Sequence, residues 1–558
     1  MKKIWLDHYP SGIPATIDAS RFESVVEVFS ETCERYSDRP AFSNMGTTID
    51  YRQLDALSLR FAAYLQQGLG LEPGDRVALM MPNLLQYPVC LFGILRAGLI
   101  AVPVNPLYTA SELRHQLHDS GAIAIVVLEN HAAVLAEALP HTRVRHVIIS
   151  RIGDLLGFPK GLVTDLVVRH VKKLVRDYRV PGALSLRQAL SKSRRYSLEA
   201  PEIGPDDLCF LQYTGGTTGV AKGAMLTHGN MVANMLQVST WFSRYMIPGE
   251  EIIVSPLPLY HIFCLSVNCL SYMSLGGLNV LITNPRDIPA FVTELSRWKF
   301  TAITGVNTLY NVLLHDDAFT RLDFSRLKLA VGGGMAVQKA VADRWQAVTG
   351  VAILEGYGLT ETAPVVTANP PGITEFSGSI GLPIPSTEIS VRDDDGTEVS
   401  MGEPGELWVR GPQVMKGYWQ QEEETAKAFA DGDWFRTGDI ATVDETGRVR
   451  IVDRIKDMIL VSGFNVYPNE IEETLAAHPA VLESACVGVA DEKSGEAVRA
   501  FIVLRPGHEV SEDALRAHCR KTLAAYKIPR DCVFRDALPK TNVGKILRRG
   551  LREGGGRE

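Results

Sequence analysis

The sequence has no C-x-x-C pair, no unbroken apolar run of membrane-spanning length and no overall excess of positive charge. Its eight cysteines, at 33, 90, 209, 264, 269, 486, 519 and 532, are scattered. That excludes a zinc or disulfide framework and points to buried or free thiols in a reducing compartment. A formal net charge of −7 argues against nucleic acid as a partner, because proteins that bind it carry a basic excess. The most apolar long stretch, 89–107, is interrupted by Arg96, glycines and Pro103, so it predicts a buried strand–helix–strand segment rather than a membrane span. The opening MKKIWLDHYPSGIP has two lysines but no apolar core behind them and is not expected to be a secretory signal.

What is present is a globular composition, 46% hydrophobic and 22% charged, on a chain of 558 residues, too long for one core. At least two domains are expected. Helix-like stretches at 22–36 and 51–68 alternate with β-type runs at 76–80, 98–105 and 122–128, which predicts an α/β fold with mostly parallel sheet.

An apolar run at 208–211 ends in YTGGTTGVAKGA, residues 213–224. Gly215, Gly216, Gly219 and Gly223 supply backbone that can approach an anion closely, Thr214, Thr217 and Thr218 add hydroxyls, and Lys222 adds a charge. Every donor type that a polyphosphate needs is there. A plain Gly/Thr turn is the bland alternative. The G-x-x-x-x-G-K-[ST] loop is disfavoured because Val220 follows Gly219 and Lys222 comes too late. The stretch from Tyr213 to Gly223 resembles the signature loop of the AMP-forming, adenylate-forming enzymes, a family that includes acyl-CoA synthetases, luciferases and peptide-synthetase adenylation domains.

That resemblance gives meaning to several later motifs. SPLPLYHIF (255–263) matches an aromatic-His motif lining the carboxylate pocket, with His261 its candidate, although a lone His beside aromatics is more often a packed core residue. Apolar runs 301–308 and 329–335 end in glycine turns, and the second implies an adenine site beside Gly333 and Gly334. In EGYGLTET (355–362) the family pattern makes Glu355, Gly356, Tyr357 and Gly358 nucleotide contacts, stacks Tyr357 on adenine, puts Thr360 on a phosphate oxygen and gives Glu361 the Mg²⁺. WFRTGD and DRIKD imply that Asp439 holds the ribose hydroxyls with help from Arg454, and 434–456 resembles the fatty acyl-CoA synthetase signature, as in bacterial long-chain-fatty-acid–CoA ligases. Lys456 takes the hinge position. Lys545, in PKTNVGK, is the candidate catalytic lysine, and the loop Ser462, Gly463 and Phe464 would help form a pantetheine channel. Several relatives carry a second lysine four residues past the hinge; here that position is Leu460, so its role is not transferred.

The resemblance therefore implies a large N-terminal adenylate-forming domain, 1–453, joined by a hinge to a small mobile C-terminal α/β domain, 454–558. It implies ATP and coenzyme A as co-substrates, Mg²⁺, a long-chain fatty acid as substrate and a role in fatty acid metabolism ahead of β-oxidation. A fatty acyl-AMP ligase loading a carrier protein, and a medium-chain or aryl acid CoA ligase, are the rival readings inside the family. A lipid-sensing protein with a dead nucleotide fold is the rival outside it, and the intact set Lys222, Glu361, Asp439 and Lys545 argues against that.

One segment departs from the charge of the whole. Between positions 151 and 195 there are eleven Lys/Arg against Asp154, Asp165 and Asp177, a local excess of eight, so the remainder carries −15. Val163, Leu166, Val167, His170, Val171, Leu174 and Tyr178 recur at helical spacing opposite Arg169, Lys172, Arg176 and Arg179, which predicts a basic amphipathic helix stopped by Pro181. Its apolar side either packs on the core or makes reversible contact with an anionic membrane surface. The expected location is cytoplasmic, with peripheral association at the cytoplasmic face of the inner membrane under the second alternative. Oligomeric state is left open, a homodimer included.

Overall fold

Four sheets organise the computed structural model, which describes residues 2–214, 221–462, 464–491, 493–541 and 544–553. The first has seven strands in the order Leu184–Ser185, His146–Ser150, Ala124–Leu128, Arg76–Met80, Ile100–Pro103, Leu208–Thr214 and Lys222–Thr227, parallel except for the last pair. The second has nine, running from Leu382–Pro383 through Val365–Ala368, Ile353–Gly358, Leu329–Gly332, Ala302–Gly305, Ile252–Ser255 and Leu278–Leu281 to Pro40–Asn44 and Thr47–Asp50. Its interior is parallel and its edges are antiparallel. Parallel strands need covered faces. Here the helices Val25–Arg35, Tyr51–Ala63 and Gln86–Arg96 fill one large core with Phe29 stacked on Phe92, ring centroids 4.0 Å apart.

Local sequence sets the helix starts. Asp50 caps Tyr51–Ala63 in a reciprocal box with Gln53, and Thr227, the last residue of its strand, caps His228–Trp241 with Asn230. The strand after the glycine-rich loop is thus welded to a helix whose buried face carries Met231, Met235 and Trp241.

The parallel pairing expected from the first part of the chain is found there, and the third sheet is of a different kind. Glu388–Arg392, Gly405–Arg410, Phe429–Ala430, Trp434–Val443 and Val449–Arg454 are all antiparallel. A single 3₁₀ turn, Ile455–Asp457, leads from there into the fourth sheet, Ile459–Val461, Phe464–Val466, Val481–Asp491, Gly495–Leu504 and Asp531–Phe534, which packs on Pro468–Ala476 and Glu512–Cys519.

Two expectations are corrected. The stretch 89–107 holds the end of a helix and one strand; the strand before it stops at Met80. The basic segment forms Lys160–Leu166 and a π-helical turn, Val167–Val171, and leaves the helix there, not at Pro181, with Lys173 at φ +51°. Tertiary contacts override the periodicity: Arg169 and Tyr178 both reach the Glu129 carboxylate, at 3.0 and 2.9 Å, and a straight helix would carry Tyr178 away from it. Of the apolar side, Tyr178 packs against the core but most of the rest does not. Phe158 is 87% exposed, and Leu162, Val163, Leu166, Val171 and Leu174 are about half exposed or more.

Candidate active site

The strands Leu208–Thr214 and Lys222–Thr227 end opposite each other, with Thr214 and Lys222 on the last rung. Gly215, Gly216, Thr217, Thr218 and Gly219, the centre of the expected phosphate loop, lie outside the described residues, as does Gly463. Tyr213 is buried and donates its hydroxyl proton to Asp119 at 2.5 Å, which anchors the strand. Lys222 is ion-paired with Glu424 and lies 5.0 Å from the centre of the Tyr418 ring.

Tyr418 links that lysine to the next motif. Its hydroxyl donates to Glu361 Oε1 at 2.8 Å, while the Met415 N–H donates to the Glu361 carbonyl at 2.8 Å. Glu361 sits in the 3₁₀ turn Thr360–Thr362, and burial raises its carboxyl above the usual range, with the Tyr418 hydroxyl and the Arg454 charge opposing. Just before it, the strand Ile353–Gly358 ends where only glycine fits: a Cβ on Gly358 would lie 2.0 Å from the Pro364 carbonyl oxygen. Tyr357 donates to Asp439 Oδ2 at 2.6 Å, and Arg454 Nε pairs with Asp439 Oδ1 at 3.0 Å. Asp439 and Arg454 are ladder partners, so the antiparallel sheet holds both. Asp439 is 2% exposed.

Gly333 joins three motifs at one point. A Cβ there would lie 3.0 Å from the Phe263 ring and 3.4 Å from the Gly356 carbonyl oxygen, and Gly334 follows at φ +79°. Glu355 points elsewhere than the sequence implied. One of its oxygens accepts the Val337 N–H at 3.1 Å, the other has no hydrogen-bond partner among the described residues, and burial lifts the carboxyl to about 7. It braces the chain just past the glycine turn. His261 Nδ1 accepts the Phe263 N–H at 3.3 Å, which leaves the proton on Nε2, and burial together with the Lys545 charge lowers the imidazole to about 4. It is neutral at physiological pH.

Lys545 reaches this cluster from the C-terminal tail. A tight turn holds it: its carbonyl accepts from the Thr541 N–H at 2.6 Å, and its N–H donates to Thr541 Oγ1 at 3.0 Å. Burial lowers its ammonium to about 8; Arg454, Lys456 and Arg548 add to that and Asp439 opposes it. Lys456 is in the Ile455–Asp457 turn, itself lowered by burial and by Arg454. The remaining candidates are not brought in. Ser462, at φ +51°, donates its N–H to the Ser494 carbonyl at 2.8 Å, and Phe464 is exposed and stacked on Tyr526 at 4.8 Å. Tyr418, Glu424 and Asp119 were missed by sequence reasoning; the only signal for the first two was GYW beside three glutamates, which reads as a solvated helix start.

The family model for AMP-binding enzymes matches residues 29–419, and that for the AMP-binding enzyme C-terminal domain matches 470–545. The chain belongs to the AMP-binding enzymes, with both of their domains. Among its curated relatives, it is 58% identical to the long-chain-fatty-acid–CoA ligase of Yersinia pestis over 99% of this chain and 98% of that one, and 52% identical to that of Haemophilus influenzae over the same shares. Among solved structures, an anthranilate CoA ligase in complex with anthranoyl-AMP superposes with a TM-score of 0.84 at 27% identity, covering 96% of this chain and 99% of that one. ATP-bound MatB from Rhodopseudomonas palustris gives 0.81 at 30% identity over 95% and 98%.

Proposed function

We infer that this protein is an enzyme that activates long-chain fatty acids, joining them first to AMP and then to coenzyme A. The observation that carries the reading is the convergence of Lys545, Arg454 and Asp439 beside Tyr357 and Glu361 in a protein whose full-length relatives at 52–58% identity are long-chain-fatty-acid–CoA ligases. A carboxylate is a poor electrophile until one oxygen becomes part of a good leaving group. In the first step the acid oxygen bonds to the α-phosphorus of ATP and the bond to pyrophosphate breaks. Lys545 offsets the charge where two anions are forced together, Lys222 and Thr214 serve the departing pyrophosphate, and Tyr357, Asp439 and Arg454 hold the nucleoside. Neutral His261 can donate from Nε2 toward the carboxylate without forming an ion pair that would trap it. In the second step the coenzyme A thiolate attacks the acyl carbon and AMP leaves.

Glu361 fits a Mg²⁺ ion. No group of three or more His, Cys, Asp or Glu converges among the described residues, and this ion needs only one or two carboxylates besides substrate phosphates. Glu361 supplies one buried carboxylate with a single oxygen engaged by Tyr418. Bound there, Mg²⁺ would neutralise phosphate charge.

The boundary between the domains is assigned to Lys456. Supporting this, a three-residue turn is the sole covalent link between the antiparallel sheet and the C-terminal sheet, and the Ser462 and Phe464 loop lies apart from Lys545. Rotation about that turn would withdraw Lys545 and present the loop for the second step.

The basic segment is assigned to reversible contact with anionic lipid at the cytoplasmic face, where ATP and coenzyme A are found. Its exposed Phe158, Leu162, Leu166 and Val171 beside Lys172 and Lys173 support this. No helix among the described residues is long and apolar enough to cross a membrane. Incubation with ATP, coenzyme A and acids from acetate to oleate tests the whole reading. Oleoyl-CoA and AMP are expected as products; adenylate without thioester, or preference for short or aryl acids, would refute it.

A further inference from the structure

Lys545 stands among like charges. Arg454, Lys456 and Arg548 act against its charge and Asp439 offsets part of that, so the lysine is held at a place that disfavours its cation. The tail beyond it is held by side-chain bonds. The Arg548 guanidinium, 16% exposed, donates to both oxygens of Glu472 at 2.9 and 2.8 Å, to Asn469 Oδ1 at 2.9 Å and to Asp457 Oδ2 at 3.3 Å. Arg552 adds the other Asp457 oxygen at 3.3 Å and the Lys456 carbonyl at 3.4 Å. Glu472 is itself fixed by the Cys486 N–H at 2.7 Å, and Asn469 by its N–H to Asp453 at 2.8 Å. On the near side, the Leu547 N–H returns to the Pro539 carbonyl at 2.8 Å. Lys545 is therefore carried on a short loop pinned immediately after it.

We propose that Arg548 is a positioning residue for adenylation: by clamping the tail to Asp457 of the hinge turn and to Glu472 and Asn469 of the helix Pro468–Ala476, it aims Lys545 at the reacting groups. The clamp needs a planar fork, since one cation has to satisfy three separate acceptors; a lysine's single ammonium cannot span them. The three acceptors of Arg548 itself, Asp457, Asn469 and Glu472, all follow Lys456 along the chain, on the same side as the tail, so the Arg548 clamp rides with the small domain. It is intact in either orientation of that domain, and the thioester step does not depend on it.

The proposal rests on the assignment of Lys545 to the first half-reaction, and the experiment separates the two. Acid-dependent ATP–pyrophosphate exchange measures adenylation, and acyl transfer from a supplied acyl-adenylate to coenzyme A measures the second step. Arg548→Lys should lower exchange about tenfold or more, given that misplacing a catalytic group by ~1 Å can cost ~100-fold. The second step should stay within about twofold. Glu472→Gln, which keeps the shape of one acceptor and removes its charge, should shift exchange in the same direction by less. An Arg548→Lys enzyme with unchanged exchange, or one that loses both steps together through damage to the domain, overturns the clamp. If Lys545→Ala itself leaves exchange intact, the assignment of Lys545 has failed; if Lys545→Ala abolishes exchange and Arg548→Lys does not, only the clamp has.

Discussion

Gly544 leaves no room for a side chain against Thr308: a Cβ on it would lie 2.8 Å from the threonine hydroxyl oxygen, and its φ is +83°. The residue before Lys545 thus docks directly on the large domain, where the strand Ala302–Gly305 gives way to the helix Asn307–Leu313.

Gly544→Ala should consequently displace Lys545. The backbone strain costs ~1 kcal/mol or more, and the clash with Thr308 adds to it. Acyl-adenylate formation should drop about tenfold with little effect on acyl transfer from supplied adenylate. Pre-steady-state assays of each half-reaction would show it, and Thr308→Ala in the same chain should restore part of the loss.

The charge of Lys545 sets a pH dependence. Because burial and Arg454 lower the ammonium to about 8, with Asp439 opposing, the cation is present below that pH and is lost as pH rises through it. Single-turnover adenylation should fall on the alkaline side with a midpoint near 8, while acyl transfer should not share that limb. Lys545→Ala should remove adenylation at every pH and leave acyl transfer.

At the turn, Lys456→Pro fixes φ and removes an N–H where the rotation is assigned. Thioester formation should fall far more than adenylation. A constant ratio of the two rates across the substitution would move the hinge away from Ile455–Asp457.

Glu355 gives a stability test with a definite sign. Its folded-state carboxyl is raised to about 7 by burial, so the folded protein holds this proton more tightly than the unfolded chain does. Stability attributed to it is full below its unfolded range and is lost as pH rises through about 7. Glu355→Gln removes the ionisation, so its denaturation midpoint should exceed that of the parent at pH ~8 and the gap should close toward pH ~5.

On the basic segment, Phe158→Ser with Leu162→Ser and Val171→Ser should weaken sedimentation with anionic vesicles, and added salt should weaken it further, each Lys or Arg contributing ~1 kcal/mol near such a surface. Turnover of a short, water-soluble acid should not change. Equal vesicle binding by parent and variant would mean that the segment faces solvent only.

Much of this was written in local sequence. Glycine positions and motif spacing are properties of a few consecutive residues, and Tyr357, Glu361, Asp439, Arg454 and Lys545, each picked out by such a motif, lie in one cluster. What escaped depends on partners far along the chain. Tyr418 reaches Glu361 across 57 positions, and Lys222 meets Glu424 across 202. No spacing rule exposes such pairs. Glu355 was misread because its motif is an ATP-site motif while its side chain turns to Val337. The amphipathic helix was overextended because Glu129, more than thirty residues earlier, decides where Arg169 and Tyr178 go.

All eight cysteines are buried and free, and burial pushes each thiol above its ordinary range. At neutral pH none offers an accessible thiolate to an alkylating reagent. The native protein is thus already a silent background for maleimide chemistry, and one cysteine placed at exposed Leu460 with another at exposed Leu107 would carry a donor and acceptor dye pair without first deleting any natural residue. The swing proposed for the small domain about Lys456 could then be timed by fluorescence during a single catalytic cycle.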